Sequence, residues 1–375
     1  MIYLDYSANT PVDARVLEQF CAVERRCIGN ANSHHQAGSA AKAEIDAATI
    51  KIASLLGVQP AEIIYTSGAS EANNFALKGL ARLSRHTGRH IISTPLEHSS
   101  VSGTLTALQE QGYEIDLLDV KQDGTVDLEH LKDLLRPDTI CVAITLVDSE
   151  LGVVQPVQEI AAILKAYPHC HLHVDATQAV GKIPVSFEGV DTMSLTAHKF
   201  YGLNGIGLLI KRRNLALEPL IHGGESTTIY RSGTPTVALA SSLACALDLA
   251  VTDLPGRVDH VAKLNAELRA ALSTYPLVHI NSPEHAIPHV LNLSVRNVKG
   301  TVFQRELDAK GVCVSVKSAC SSDGLPSRAV FAVSRDRRNA LSSWRISLSH
   351  LTTEEEIKAF LQAFDVCYRE LTAVH

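Results

Sequence analysis

SLTAHKFYGLNGIG, residues 194–207, is the stretch on which the reading of the chain turns. A short apolar strand pattern, DTMSLT at 191–196, ends inside it. One lysine follows, and then a glycine-rich stretch. A flexible basic loop carries more charge than this, and a buried helix carries fewer glycines. Lys199 therefore sits at the end of a strand, and in open α/β sheets ligands bind beyond the carboxyl ends of the strands. A desolvated lysine has a lowered pKa and is a nucleophile suited to a Schiff base. The plain alternative is a surface lysine that happens to follow a strand.

Outward from this stretch, strand and helix patterns alternate from residue 13 to about 250. EIIYTSG, HIIST, EIDLLDV, TICVAITL and HLHVDA read as short apolar strands. Helical periods such as SAAKAEIDAATIKIASLL, closed by Gly57, and VQEIAAILKAY lie between them. That alternation predicts an α/β fold, a mostly parallel sheet covered by helices on both faces. After residue 250 the pattern changes. A long helical stretch leads to strands near 289–295, 312–316 and 344–348 and a helix ending near 371. The expected organisation is a large domain over 13–249 and a smaller α+β domain over 1–12 and 250–375. The stretch 320–342 reads as a loop, because of its serines, Gly324 and Pro326, with a solvated Arg/Asp run near 335–338.

Composition narrows the function classes. With 46% hydrophobic and 20% charged residues the chain can build a large core. A net charge of -6, with both signs dispersed, argues against direct binding of nucleic acid or an anionic membrane. The N-terminus lacks an apolar signal region and no run has transmembrane length, so a soluble cytoplasmic protein is expected. The eight cysteines form no C-x-x-C pair. His169, His171 and His173 alternate, but nothing completes a ligand set with them, and no metal is expected.

Two further motifs complement Lys199. In YTSGASEANN, 65–74, a strand runs into a helix that begins at Ala69 or Ser70. A helix N-terminus with a close-approach glycine, Gly68, and a hydroxyl, Ser70, suits a phosphate, although an ordinary helix start reads the same way. In HLHVDATQAVGK, 171–182, a strand ends at Asp175 and Gln178 follows. A lysine, a strand-end carboxylate and a phosphate cup are the parts that pyridoxal phosphate needs.

Together YLDYSANTPVD, TSGASEANN, LEHSS, HVDATQAVGK, LTAHKFYGLNGIG, RSGTP, SAC and WRISLS resemble, in order and near spacing, the pyridoxal-phosphate-dependent cysteine desulfurases of the NifS/IscS type. These are class V aminotransferases of fold type I, and the resemblance spans nearly the whole chain. It implies that Lys199 bonds the pyridoxal 5'-phosphate, that Asp175 pairs with the pyridine nitrogen, and that Gln178 reaches the ring oxygen. His98 would stack on the ring and move protons. Gly68, Ala69, Ser70, Thr196 and His198 would hold the phosphate, and Thr234 would reach the phosphate of the neighbouring subunit in a homodimer. Ser149 stands where the family has a cofactor-contacting asparagine. Arg345 would clamp the substrate carboxylate. Cys320, on its mobile loop, would take sulfur from L-cysteine as a persulfide, leaving L-alanine. An iron–sulfur scaffold or a tRNA-thiolation protein would then accept the sulfur. A selenocysteine lyase, a C–S lyase releasing sulfide, or a weakly active paralogue acting as an interaction protein are the alternatives.

Overall fold

The computed structural model describes residues 1–316 and 325–373. Its main sheet has seven strands: β2 (Ile63–Thr66), β3 (His90–Ser93), β4 (Glu114–Leu117), β5 (Thr139–Thr145), β6 (His171–Asp175), β7 (Thr192–Thr196) and β8 (Gly207–Lys211), with β1 (Ile2–Tyr3) lying elsewhere. The order is β2-β8-β7-β6-β5-β3-β4. β4, β3, β5, β6 and β7 run parallel, and β8 is antiparallel to both its neighbours. Every residue of β2, β3, β5, β7 and β8 is buried, as continuous apolar strands covered on both faces must be. Two hydrophobic clusters lie against the sheet. One gathers the helices Ala14–Arg26, Gln36–Leu56 and Val237–Thr252, and the other the helices Ala69–Leu83 and Ser99–Gln109. The α/β architecture expected from the alternation is the one observed.

The chain passes from β3 outward to β4, then back across β3 to β5, and on to β6 and β7. Successive connections thus leave in opposite directions between β3 and β5. This is the switch point at which an open α/β sheet leaves a crevice. The ends of β5, β6 and β7, namely Thr145, Asp175 and Thr196, all face that crevice.

A third hydrophobic cluster lies around a three-stranded antiparallel sheet of β9 (Val278–Ile280), β10 (Val290–Val295) and β12 (Ser343–Ser347), in the order β12-β10-β9. Its centre is aromatic: Trp344 stacks on Phe303 with ring centres 5.2 Å apart, and Phe364 closes over both. The first residues return to this cluster, since β1 pairs in parallel with β11 (Val312–Cys313) and Leu4 is fully buried there.

One expectation is corrected. Within 320–342, residues 328–342 are not a loop but two short helices, Arg328–Ser334 and Arg337–Ser342. The residues that read as loop formers are caps. The Ser327 side chain accepts the Val330 N–H, and Asp336 accepts those of Arg338 and Asn339. Ala329, Val330 and Ala332 turn inward, and Arg335 breaks the two helices apart with a left-handed φ of 54°. Among the described residues no single helix is long and apolar enough to cross a membrane. The helices Val237–Thr252 and Leu254–Leu272 meet that length and hydropathy together only as a pair, and the pair is bent by 66°.

Candidate active site

A cavity of about 350 Å³ opens at the switch point. Gly68, Ala69, Ser70, His98, Ser149, Asp175, Gln178, Thr196, His198, Lys199 and Arg345 all line it. They come from six separate stretches of the chain, and folding brings them to one place. Thr234 does not line the cavity. It is exposed, on the segment that leads into the helix Val237–Thr252. Cys320 lies outside the described residues.

The helix Ala69–Leu83 points its N-terminus into the cavity. Gly68 caps it without a side chain, so the first N–H groups keep their hydrogens for a ligand. Gly68 has φ 153°, a region open to glycine. A Cβ at Gly207, the first residue of β8, would lie 2.7 Å from the Gly68 Cα. Glycine at both positions lets the cradle close. Glu71, in the first turn, accepts the Ser67 N–H at 2.8 Å and binds Arg231 at 3.0 Å. Beside the cradle, the Thr196 hydroxyl meets His198 Nδ1 at 3.1 Å. Burial, then the charge of Lys199, pushes the pKa of His198 down to about 4, so it is a neutral partner. This corner suits an anion.

The opposite wall suits a cation. Asp175 Oδ2 accepts from Asn73 Nδ2 at 2.8 Å, and Oδ1 accepts the Thr177 N–H at 2.9 Å. Asn73 is itself fixed, because its Oδ1 takes the Ser194 hydroxyl and faces His173 Nε2 at 3.0 Å. His173 meets Thr192 at 2.9 Å through its other nitrogen, and so serves as a satisfied core histidine. His98 caps the helix Ser99–Gln109, and its Nδ1 accepts the Ser100 N–H at 3.1 Å. Its proton is therefore at Nε2 when the ring is neutral. Burial lowers its pKa and favours that neutral form.

Lys199 stands on the short turn that follows β7. Its Nζ donates to the carbonyls of Ser7 at 2.7 Å and Ala8 at 2.6 Å. Tyr201, two residues on, holds φ 67°, a conformation that costs a non-glycine residue roughly 1–2 kcal/mol. Thr10 offsets this: its Oγ1 accepts the Tyr201 N–H at 2.8 Å and donates to the His198 carbonyl at 2.9 Å. No motif in the sequence gives the N-terminal residues a part in the site. Ser7 and Ala8 in fact line the cavity, and Asp5 binds the Arg345 guanidinium at 3.0 Å. Arg345 also donates to the Ser149 carbonyl at 2.7 Å. The Asp5–Arg345 contact joins residues 340 positions apart and the Ser149–Arg345 contact residues 196 apart, so no local pattern could have signalled them.

Two buried acids flank the cavity. Glu97 accepts the Thr145 N–H at 2.9 Å and the Thr94 hydroxyl at 2.8 Å, and burial pushes its pKa up to about 8. The Asp148 carboxylate turns away from the cavity to the N–H groups of Glu150 and Leu151, while its Oδ1 is buried without a partner among the described residues. Burial, then the Glu150 charge, pushes its pKa up to about 7. An acid with a raised folded pKa holds a proton that the unfolded chain has lost. Its contribution to stability is present below the unfolded pKa of about 3.9 and is lost, at about 1.4 kcal/mol per pH unit, as pH rises toward the folded value. Asp148→Asn removes this loss. The variant is expected to melt a few degrees above the parent at pH 8, with the difference vanishing near pH 4 in paired thermal melts. Equal melting temperatures at both pH values would mean that Asp148 is not held protonated.

Comparison with known proteins places these features in a family. The class-V aminotransferase family model matches residues 2–360. A NifS/IcsS protein homolog of Lactobacillus delbrueckii subsp. bulgaricus is 36% identical, over 100% of this chain and 99% of that protein. The cysteine desulfurase IscS of Proteus mirabilis is 40% identical, over 95% of this chain and 90% of its own length. Among solved structures, a NifS-like protein superimposes with a TM-score of 0.92 at 37% identity, covering 97% of this chain and 98% of the other. With matches that run the length of both partners, the chain belongs to the class-V aminotransferases, among the cysteine desulfurases of the NifS/IscS type.

Proposed function

We propose that the protein is a pyridoxal-phosphate-dependent cysteine desulfurase, which converts L-cysteine to L-alanine and passes the sulfur on as a persulfide. One observation carries this reading: a lysine, a carboxylate and an uncapped helix N-terminus converge on a single cavity. The residues fit the cofactor. The helix end, with Gly68, Ala69, Ser70, Thr196 and His198, offers donors to a phosphate. Asp175 offers an acceptor to a ring nitrogen, Gln178 a donor to a ring oxygen, and Lys199 an amine to a carbonyl carbon. Ser149 lines the wall beside them. When bound, pyridoxal phosphate supplies an electron sink conjugated to the substrate's α-carbon.

The chain's own residues supply the rest. Arg345 binds the substrate carboxylate with the guanidinium hydrogens that Asp5 and Ser149 leave over. Lys199 Nζ and His98 Nε2 take and return protons at the substrate carbons. The Cys320 thiolate attacks the substrate sulfur. The S–S bond forms as the C–S bond breaks, and the carbon fragment keeps the bonding pair, takes up protons and leaves as alanine. Thr234, outside this cavity, is assigned to the cofactor phosphate of a second copy in a homodimer. The persulfide then goes to an acceptor protein, such as an iron–sulfur scaffold or a tRNA-thiolation protein. The separation of the main-sheet clusters from the cluster around β9, β10 and β12 supports a division of the chain near residue 250 into the large and small domains read from the sequence.

Product identity tests the proposal. With L-cysteine and a reductant, alanine and sulfide are expected in equal amounts. Pyruvate in place of alanine would identify a C–S lyase, and turnover confined to selenocysteine a selenocysteine lyase. A second expectation concerns Arg345. Lysine cannot reproduce its planar double donation. Arg345→Lys should raise KM for L-cysteine on the order of 100-fold with a smaller change in kcat. An unchanged KM would remove Arg345 from the carboxylate site.

A further inference from the structure

Lys182 is buried, at 6% exposure, and does not line the cavity. Nothing in the reaction described above uses it. Its Nζ lies 2.5 Å from Gln178 Oε1. Gln178 Nε2, at the other end of the same amide, donates to the Ser7 carbonyl at 2.9 Å. That carbonyl also accepts from Lys199 Nζ. A chain of hydrogen bonds thus runs Lys182, Gln178, Ser7, Lys199.

The polarity of this chain follows from its ends. The Ser7 carbonyl only accepts, and Lys182 in its charged form only donates. The Gln178 amide is therefore fixed with Oε1 toward Lys182 and Nε2 toward Ser7 and the cavity. One Nε2 hydrogen goes to Ser7, and the second remains. An amide in the reverse orientation would place its oxygen against the Ser7 carbonyl and its NH2 against Lys182, two repulsive contacts in a buried site.

We propose that Lys182 is a positioning residue that locks Gln178 as a hydrogen-bond donor to the cavity. This rests on the assignment of the cavity to pyridoxal phosphate, whose ring oxygen is the acceptor that such a donor fits. The surroundings of Lys182 agree with a role beyond filling space. Burial, then the charges of Lys199 and Arg345, brings its pKa down to about 7, and an apolar side chain would avoid that cost. Its buried neighbour His289 is lowered to about 3 by burial and then by Lys182, so it brings no opposing charge.

A double-mutant cycle on cofactor affinity tests the proposal. Apoproteins of the parent, Lys182→Met, Gln178→Leu and the double variant are titrated with pyridoxal phosphate, after circular dichroism has verified their folding. Each single variant should raise Kd about 10-fold, or about 1.4 kcal/mol. The double variant should also stay near 10-fold, because Lys182 acts only through Gln178. Lys182→Gln, which keeps a donor without the charge, should recover most of the affinity and still reports if the methionine variant does not fold. A double variant near 100-fold would show an independent electrostatic or packing effect and overturn the inference, as would parental affinity in Lys182→Met. Those outcomes leave the cofactor assignment standing. A parent apoprotein that does not bind pyridoxal phosphate would overturn both.

Discussion

Lys199→Ala should purify without a borohydride-reducible visible chromophore and turn over L-cysteine on the order of 10⁴-fold more slowly than the parent, or worse. The loss is chemical rather than structural. Lys199 sits half-buried on a turn after β7, and that turn is anchored independently of its amine. Thr10 holds the His198 carbonyl and the Tyr201 N–H, and both contacts survive the substitution. The phosphate cradle and Asp175 are likewise untouched. The variant should therefore fold and bind pyridoxal phosphate without a covalent bond. Absorption spectra before and after borohydride, with mass spectrometry of the reduced protein, decide the matter. A variant with the parental spectrum would take the nucleophile's role away from Lys199.

How much of this could be read in the sequence depends on how local each signal was. Asp175 ends a strand, Lys199 follows one closely, and Gly68 precedes a helix, so each was placed by a pattern of a few neighbours. The crevice that joins them follows from the α/β alternation. Arg345 carried no local signal. It faces Asp5 and Ser149 from the far side of the chain, and family resemblance alone pointed to it. Ser7 and Asn73 were silent for the same reason, since their contacts to the site run to residues brought close only by folding. Lys182 lies only four residues from Gln178, but a lysine after a turn reads as an ordinary surface residue until burial turns it inward. The helices Arg328–Ser334 and Arg337–Ser342 were misread as a loop because each spans only 7 or 6 residues and Ser and Asp serve equally as turn and cap residues. β9, with three residues, is too short for its alternation to register.

Cys320→Ser should separate binding from sulfur transfer. The variant keeps Lys199, Asp175 and Arg345, so it should bind cofactor and L-cysteine with near-parental affinity. Alanine formation should fall by at least ~100-fold, because a hydroxyl is a poor acceptor for sulfur. Five of the other cysteines are badly suited to replace it. Cys141, Cys170 and Cys367 are buried; burial pushes Cys170 up to about 12 and Cys141 well above its ordinary value. Burial also raises Cys313 and Cys245, which disfavours their thiolates. The described chain does lead toward Cys320 from the site itself. Ser315 pairs with the Arg345 backbone, and its hydroxyl donates to Asp5 at 2.8 Å. Alanine formation by the serine variant at the parental rate would remove Cys320 from the reaction.

Sulfur is expected to leave L-cysteine for a cysteine of this chain while the carbon skeleton becomes alanine. The most direct test of this expectation is a single turnover of the holoprotein with limiting L-cysteine and no reductant, quenched and analysed for both products. One L-alanine per cysteine consumed is expected, with one added sulfur, 32 Da by mass within about 1 Da, on the peptide containing residue 320. Pyruvate and free sulfide without alanine, or alanine with the added sulfur on Cys313 or on no peptide, would contradict it.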